Sequence, residues 1–110
     1  MKAYKVVFKE AGKLVSAMIM ERYAALEYPP NKWVTRQQHC GPLCCFDTLE
    51  NAKQFIINQR VPEKYFEIWE CEIVKSDEER VWTTSRAEKL EALPEGTILA
   101  DRLKLVRRVS

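Results

Sequence analysis

The sequence predicts an α+β domain: one mostly antiparallel sheet of about five to six strands, with two short helices packed on it. Three observations predict it. Apolar or alternating runs of strand length recur along the 110 residues, bounded by Gly, Pro, Asn and Asp. Two segments carry a helix-start spacing followed by apolar residues three and four apart. Strands and helices also follow one another without the regular alternation of a parallel, doubly wound sheet.

Taken in order, Tyr4–Lys9 reads as a first strand, rich in aromatic and β-branched residues, with Tyr4, Val6 and Phe8 on one apolar face. Glu10-Ala11-Gly12-Lys13 is a turn, and Leu14–Met20 is the return strand of a hairpin. That second strand is apolar on both faces, which suits an interior strand or a contact between two copies. Glu21–Tyr28 fits either two helical turns or a continuation of the strand, and Pro29-Pro30 ends either one. Trp33–Arg36 reads as a short strand, and 37–42 as a polar loop.

Leu43–Phe46 is a continuous apolar run, the pattern of a strand buried on both faces. A helix follows. Asp47 with Glu50 has capping-box spacing, Thr48 is the alternative cap, and Leu49, Ala52, Phe55 and Ile56 form the inward stripe. Pro62 stops it near 58–60. Tyr65–Lys75 is a long strand candidate, with Trp69, Cys71 and Ile73 on one face and Glu70 and Glu72 on the other. Val81–Thr84 is a short strand. Ser85 with Glu88 repeats the capping-box spacing and predicts a helix over 86–93 with Ala87, Leu90 and Leu93 inward. Thr97–Val109 is the last strand, and its alternation slips between Leu105 and Val106, as at a β-bulge.

Residues 1–110 read as a single domain, with no internal repeat and no low-complexity linker. A hydrophobic share of 46% with 31% charged residues is that of a folded chain rather than a disordered one. No apolar run reaches the roughly 18 residues of a membrane span, and the first residues lack an apolar signal core, so the expected location is cytoplasmic. Net charge is only +2, too small to point to nucleic acid by itself. Its distribution is uneven: 63–80 holds seven acids against three bases, and 97–110 holds four bases against one acid. The expectation is that these two segments lie side by side and pair opposite charges across strands.

Four cysteines and one histidine invite a metal or redox reading. Cys40 and Cys44 have a chelating spacing, with His39, Cys45 and Cys71 as further ligands. Against it, Cys44 and Cys45 point to opposite faces of a strand, and Cys71 lies between Trp69 and Ile73 on a core face, where a thiol acts as a small hydrophobe. No metal, cofactor or catalytic residue is therefore assigned. Glycine-rich phosphate loops are absent, since Gly12, Gly41 and Gly96 are isolated. The candidate binding residues are His39, Cys40 and Thr48 around the open end of the central strand–helix unit, and Arg102, Lys104 and Arg108 on the last strand. Strict alternation places those three bases on one face, where Trp33 or Trp82 could add a stacking surface for nucleic acid.

Leu43-Cys44-Cys45-Phe46, then Thr48, then Ala52 and Phe55 on the helix, resembles a segment of ADP-ribosyltransferase-like domains. That resemblance implies a nucleotide-binding cleft near Phe46 and Thr48 with a late carboxylate. Glu67, Glu70 and Glu72 are the candidates for it, while Tyr4-Lys5-Val6 lacks the expected Arg or His. The Phe46-Asp47…Ala52 pattern is also similar to a strand–helix unit in small proteins of prokaryotes and their viruses, which implies a fold and no activity. The leading expectation is a non-enzymatic interaction or self-associating protein, a homodimer or the partner of another protein. A divergent ADP-ribosyltransferase-like enzyme is the first alternative. A nucleic-acid-binding accessory protein using the basic last strand is the second.

Overall fold

A computed structural model describes residues 1–17, 26–37, 40–82 and 87–110. The second half of the predicted hairpin strand, most of the ambiguous 21–28 segment, His39 and Ser85 lie outside the described residues. Among the described residues the strands are β1 (Lys2–Glu10), β2 (Lys13–Ser16), β3 (Trp33–Thr35), β4 (Leu43–Phe46), β5 (Phe66–Lys75), β6 (Arg80–Trp82), β7 (Ala87–Lys89) and β8 (Thr97–Arg108). Helix α1 spans Leu49–Ile57. Short 3₁₀ turns cover Glu63–Tyr65 and Leu90–Ala92. Among the described residues no helix is long and apolar enough to cross a membrane.

Six strands make the main sheet, all pairings antiparallel, and four of them close a ring. β1 bonds along its length to β5, from Lys2↔Glu72 to Phe8↔Phe66. β5 bonds to β8, β8 to β4, and β4 returns to β1 through Tyr4↔Phe46. β2 extends β1 and β3 extends β8 beyond the ring. The turn between β1 and β2 has positive φ at both Ala11 and Gly12, the mirror-image turn whose twist matches a tight hairpin. Glu27 bridges Val15, so residues 26–28 run along β2.

Two apolar clusters occupy the two faces of this sheet. One takes Ala3 and Val7 from β1, Leu43 and Cys45 from β4, Cys71 and Ile73 from β5, and Ala100, Leu103 and Leu105 from β8, with Tyr28 beside them. All four ring strands and no residue of α1 contribute to it, the composition of a cluster inside the ring. The other lies on the outer face beneath α1, where Ala52, Phe55 and Ile56 meet Val6, Cys44, Phe46, Phe66 and Ile68. β4 is buried on both faces, as its unbroken apolar run predicts. Cys44 and Cys45 accordingly face different clusters, and Cys71 sits in the interior one.

The interior also holds Lys5, fully buried. Its Nζ donates to Ser16 Oγ at 2.9 Å and to the Cys44 carbonyl at 2.5 Å, and lies 4.9 Å from the centre of the Tyr28 ring. A buried ammonium persists only when such partners replace its water.

Thr48, not Asp47, caps α1: its Oγ1 accepts from the Asn51 backbone N–H at 3.1 Å, while the Asp47 carboxylate takes the Asn51 side-chain amide at 2.8 Å. The capping box with Glu50 does not form. The second predicted helix does not form either. Residues 87–89 are a strand paired with β6 in a separate two-stranded sheet, and 90–92 are a 3₁₀ turn. An eight-residue helix gains little by itself. Here the backbone bonds to Val81 and its neighbours, while Leu90 and Leu93 still pack on the outer cluster. The sheet is thus mostly antiparallel in an α+β fold, with one helix rather than two among the described residues.

Candidate functional site

The acidic and basic segments do lie side by side. β5 and β8 are neighbours, and Glu70 meets Arg107 at 3.4 Å and Lys2 at 2.6 Å, while Glu67 meets Arg108 at 3.6 Å. These contacts, with the Lys2 hydrogen bond foremost, hold the Glu70 carboxyl below its usual range. Two register shifts on β8 decide which bases face where. Val106 has no partner between Leu105↔Cys71 and Arg107↔Glu70, so a bulge falls where the alternation slips. Asp101 is a second extra residue, between Ala100↔Lys75 and Arg102↔Val74.

The first bulge separates the three predicted bases. Arg102 and Lys104 pair with Val74 and Glu72 on the outer face. Arg108 pairs with Trp69, whose face is that of Cys71 and Ile73, and it is Arg107 that joins Glu70 on the outer side. Arg108 therefore does not share a face with Arg102 and Lys104, because one inserted residue inverts the alternation beyond it.

Arg102 and Lys104 are instead joined by Trp33. Asn31 adopts a left-handed conformation (φ 63°) and donates its backbone N–H to the Leu105 carbonyl at 2.8 Å. That turn delivers the chain into β3 beside β8, with Trp33 opposite Lys104 and Thr35 opposite Arg102. The Arg102 guanidinium lies 4.7 Å and the Lys104 ammonium 5.2 Å from the Trp33 ring centre, within cation–π range. Trp33 remains 43% exposed. Among the described residues neither cation is within salt-bridge distance of a carboxylate, whereas Lys2, Lys13, Arg36, Arg107 and Arg108 all are. The result is an exposed indole on β3 under two cations of β8 that make no salt bridge among the described residues.

A second cluster gathers where β3 ends. Arg36 bridges Glu78 and Asp101, the latter at 3.1 Å, and its other nitrogens reach the Cys40 carbonyl at 3.1 and 3.4 Å. Trp82 Nε1 donates to Glu78 at 3.0 Å, and Arg36 lies 5.7 Å from the Trp82 ring centre. The hydrogen bond from Trp82, then the charge of Arg36, lowers the Glu78 carboxyl pKa. Cys40 takes part through its backbone. Arg36, Glu78 and Asp101 use their charges inside the cluster, which ties Cys40 to β6 and β8. Trp82 and Trp33 are the two tryptophans named as stacking candidates, and only Trp33 offers its ring beside free cations.

The remaining candidates do not converge. Thr48 Oγ1 is occupied as the helix cap. Phe46 is buried and packs on Phe55 at 5.3 Å between ring centres, so it lines no cleft. Glu70 is bound to Lys2 and Arg107, Glu67 accepts from Trp69 Nε1, and Glu72 accepts from the Met1 amino group. A groove of about 820 Å³ runs between 77–80 and 89–91 and is lined by charges of both signs. No group of three or more metal-ligating side chains is assembled among the described residues. Sequence reasoning missed Lys5, because an isolated lysine in a strand reads as a solvent-facing position. Comparison with known proteins finds no match to any family model, any curated protein or any solved structure.

Proposed function

We propose that the protein is a small non-enzymatic binding domain that contacts an anionic macromolecule through Trp33, Arg102 and Lys104. The observation that carries this reading is the exposed indole beneath two cations that make no salt bridge among the described residues. A surface ion pair contributes little to stability, but bare cations beside an exposed aromatic are poised to gain from a partner that brings the counter-charge. Glu67, Glu70, Glu78 and Asp101 support the same reading, because each of these carboxylates is paired with a neighbouring base within the fold.

The test is binding of fluorescent polyanions (heparin, polyglutamate and an oligothymidylate) at low salt to the wild-type protein and to Arg102→Ser/Lys104→Ser. Binding of at least one polyanion, lost in the double variant with its circular dichroism unchanged, is the expected result. No binding to any of them, or equal binding by the variant, refutes it. Thermal stabilisation by NAD would favour the nucleotide-binding alternative instead.

A further inference from the structure

We infer that the ligand of this patch is single-stranded nucleic acid, a base stacking on the Trp33 indole while adjacent phosphates meet Arg102 and Lys104. The inference rests on the binding-surface reading above and names its partner. Arg102 and Lys104 are two residues apart on one strand, about 7 Å at the usual rise, a separation comparable to that of neighbouring phosphates in an unstacked single strand. Both cations approach one indole, and Trp33 is 43% exposed. An exposed aromatic side chain beside cations is what a base stacks on, with little regard to sequence because every base has a π-face.

The competing anions use the patch less fully. An acidic peptide would neutralise Arg102 and Lys104 but gain nothing specific from the ring. A duplex offers phosphates, yet keeps its bases stacked on one another, out of reach of an indole on a sheet surface. Only an unpaired strand brings the charge and the planar group together. Among the described residues β3 ends the sheet beyond β8, with Trp33 43% exposed and Thr35 exposed. A strand of nucleic acid can therefore lie along the patch.

The experiment measures anisotropy of labelled oligothymidylate and oligouridylate against a duplex of mixed sequence and heparin, with salt titrations. The single strands are expected to bind more tightly than the duplex. Trp33→Ala should weaken single-strand binding by roughly 5- to 150-fold, the range for losing one stacked base, while Trp33→Phe retains most of it. Arg102→Ser and Lys104→Ser should each reduce the steepness of the log–log salt dependence by about 0.7. Preference for oligouridylate over oligothymidylate, or the reverse, identifies RNA or DNA as the source of the strand. If heparin or duplex binds as tightly as the single strands, or if Trp33→Ala binds them like wild type, the nucleic-acid inference is overturned while the binding surface stands. If no polyanion binds at all, both fall. Trp33→Phe and the two serine variants keep the test decisive should Trp33→Ala disturb the edge strand.

Discussion

Gly41→Ala is the substitution for which the structure sets the clearest magnitude. Gly41 donates its backbone N–H to the Trp82 carbonyl at 2.7 Å, and a Cβ placed on it would lie 2.6 Å from the Trp82 backbone nitrogen and 2.7 Å from Cδ1. The nearest obstacle is main chain, so rotating the indole does not relieve the clash. Overpacking costs about 1–3 kcal/mol, and an immovable neighbour puts this case in the upper part of that range. The lost flexibility of the unfolded chain returns about 0.4–1 kcal/mol. The net loss is about 1–2.5 kcal/mol. For 110 residues the unfolding entropy makes each kcal/mol worth about 4 °C, so the melting temperature should fall by about 4–10 °C. Calorimetry measures it, and tryptophan fluorescence should change as Trp82 is displaced. Gly12→Ala is the control: it has open space around it but a positive φ, so it should cost about 1 kcal/mol and leave the fluorescence unchanged. An unchanged or raised melting temperature for Gly41→Ala would refute the close-approach argument.

Three further perturbations follow from named contacts. Thr48→Ala should lower the denaturation free energy by about 1 kcal/mol in chemical unfolding, and Asp47→Ala by less, since only Thr48 satisfies a backbone donor of α1. Lys5→Ala should cost about 2–5 kcal/mol in the same assay, because it leaves a cavity and strips the ammonium from Ser16 and Cys44; a stable variant would contradict the buried placement. The Glu78 carboxyl has a folded pKa below its unfolded one, so its contribution is full above the unfolded carboxylate range and is lost as pH falls through the folded value. Glu78→Gln should therefore be less stable than wild type at neutral pH, with the difference closing on acidification; a constant gap across the acid range would dismiss that linkage.

Most of this architecture was legible from local pattern. The apolar run 43–46, the stripe on α1 and the alternation at 69–73 each report their own burial, and the structure bears each out. The hairpin and the pairing of the acidic with the basic strand were legible too. What pattern could not show was closure. Tyr4, Val6 and Phe8 read as the apolar face of β1, yet the fully buried interior belongs to Ala3, Lys5 and Val7 on the other side. A lysine is written the same way whether it meets water or a carbonyl inside a ring of strands. The 86–93 segment failed for a related reason. Leu90 and Leu93 pack inward from a 3₁₀ turn at the same spacing that a helix would use, and the choice was made by pairing with β6, a contact that no local window contains. At the candidate site, Trp33, Arg102 and Lys104 were all visible as residue types, but their meeting depends on a strand pairing some 70 residues apart in the chain.

The patch itself depends on the bulge at Asp101. Ile98 and Ala100 belong with the interior cluster, so unbroken alternation would send Arg102 and Lys104 inward and Leu103 and Leu105 into water. The extra residue resets the order: Leu103 and Leu105 enter the interior, and the two bases emerge on the outer face beside Trp33. Asp101 is not idle there. Its carbonyl accepts the Arg36 backbone N–H at 2.9 Å and its carboxylate holds the Arg36 guanidinium at 3.1 Å. Arg36 directly follows β3, so the residue that turns Arg102 and Lys104 outward also anchors the strand that carries Trp33. The same local irregularity thus preserves the core and assembles the surface. The bulge at Val106 acts separately, turning Arg107 outward to its partner Glu70.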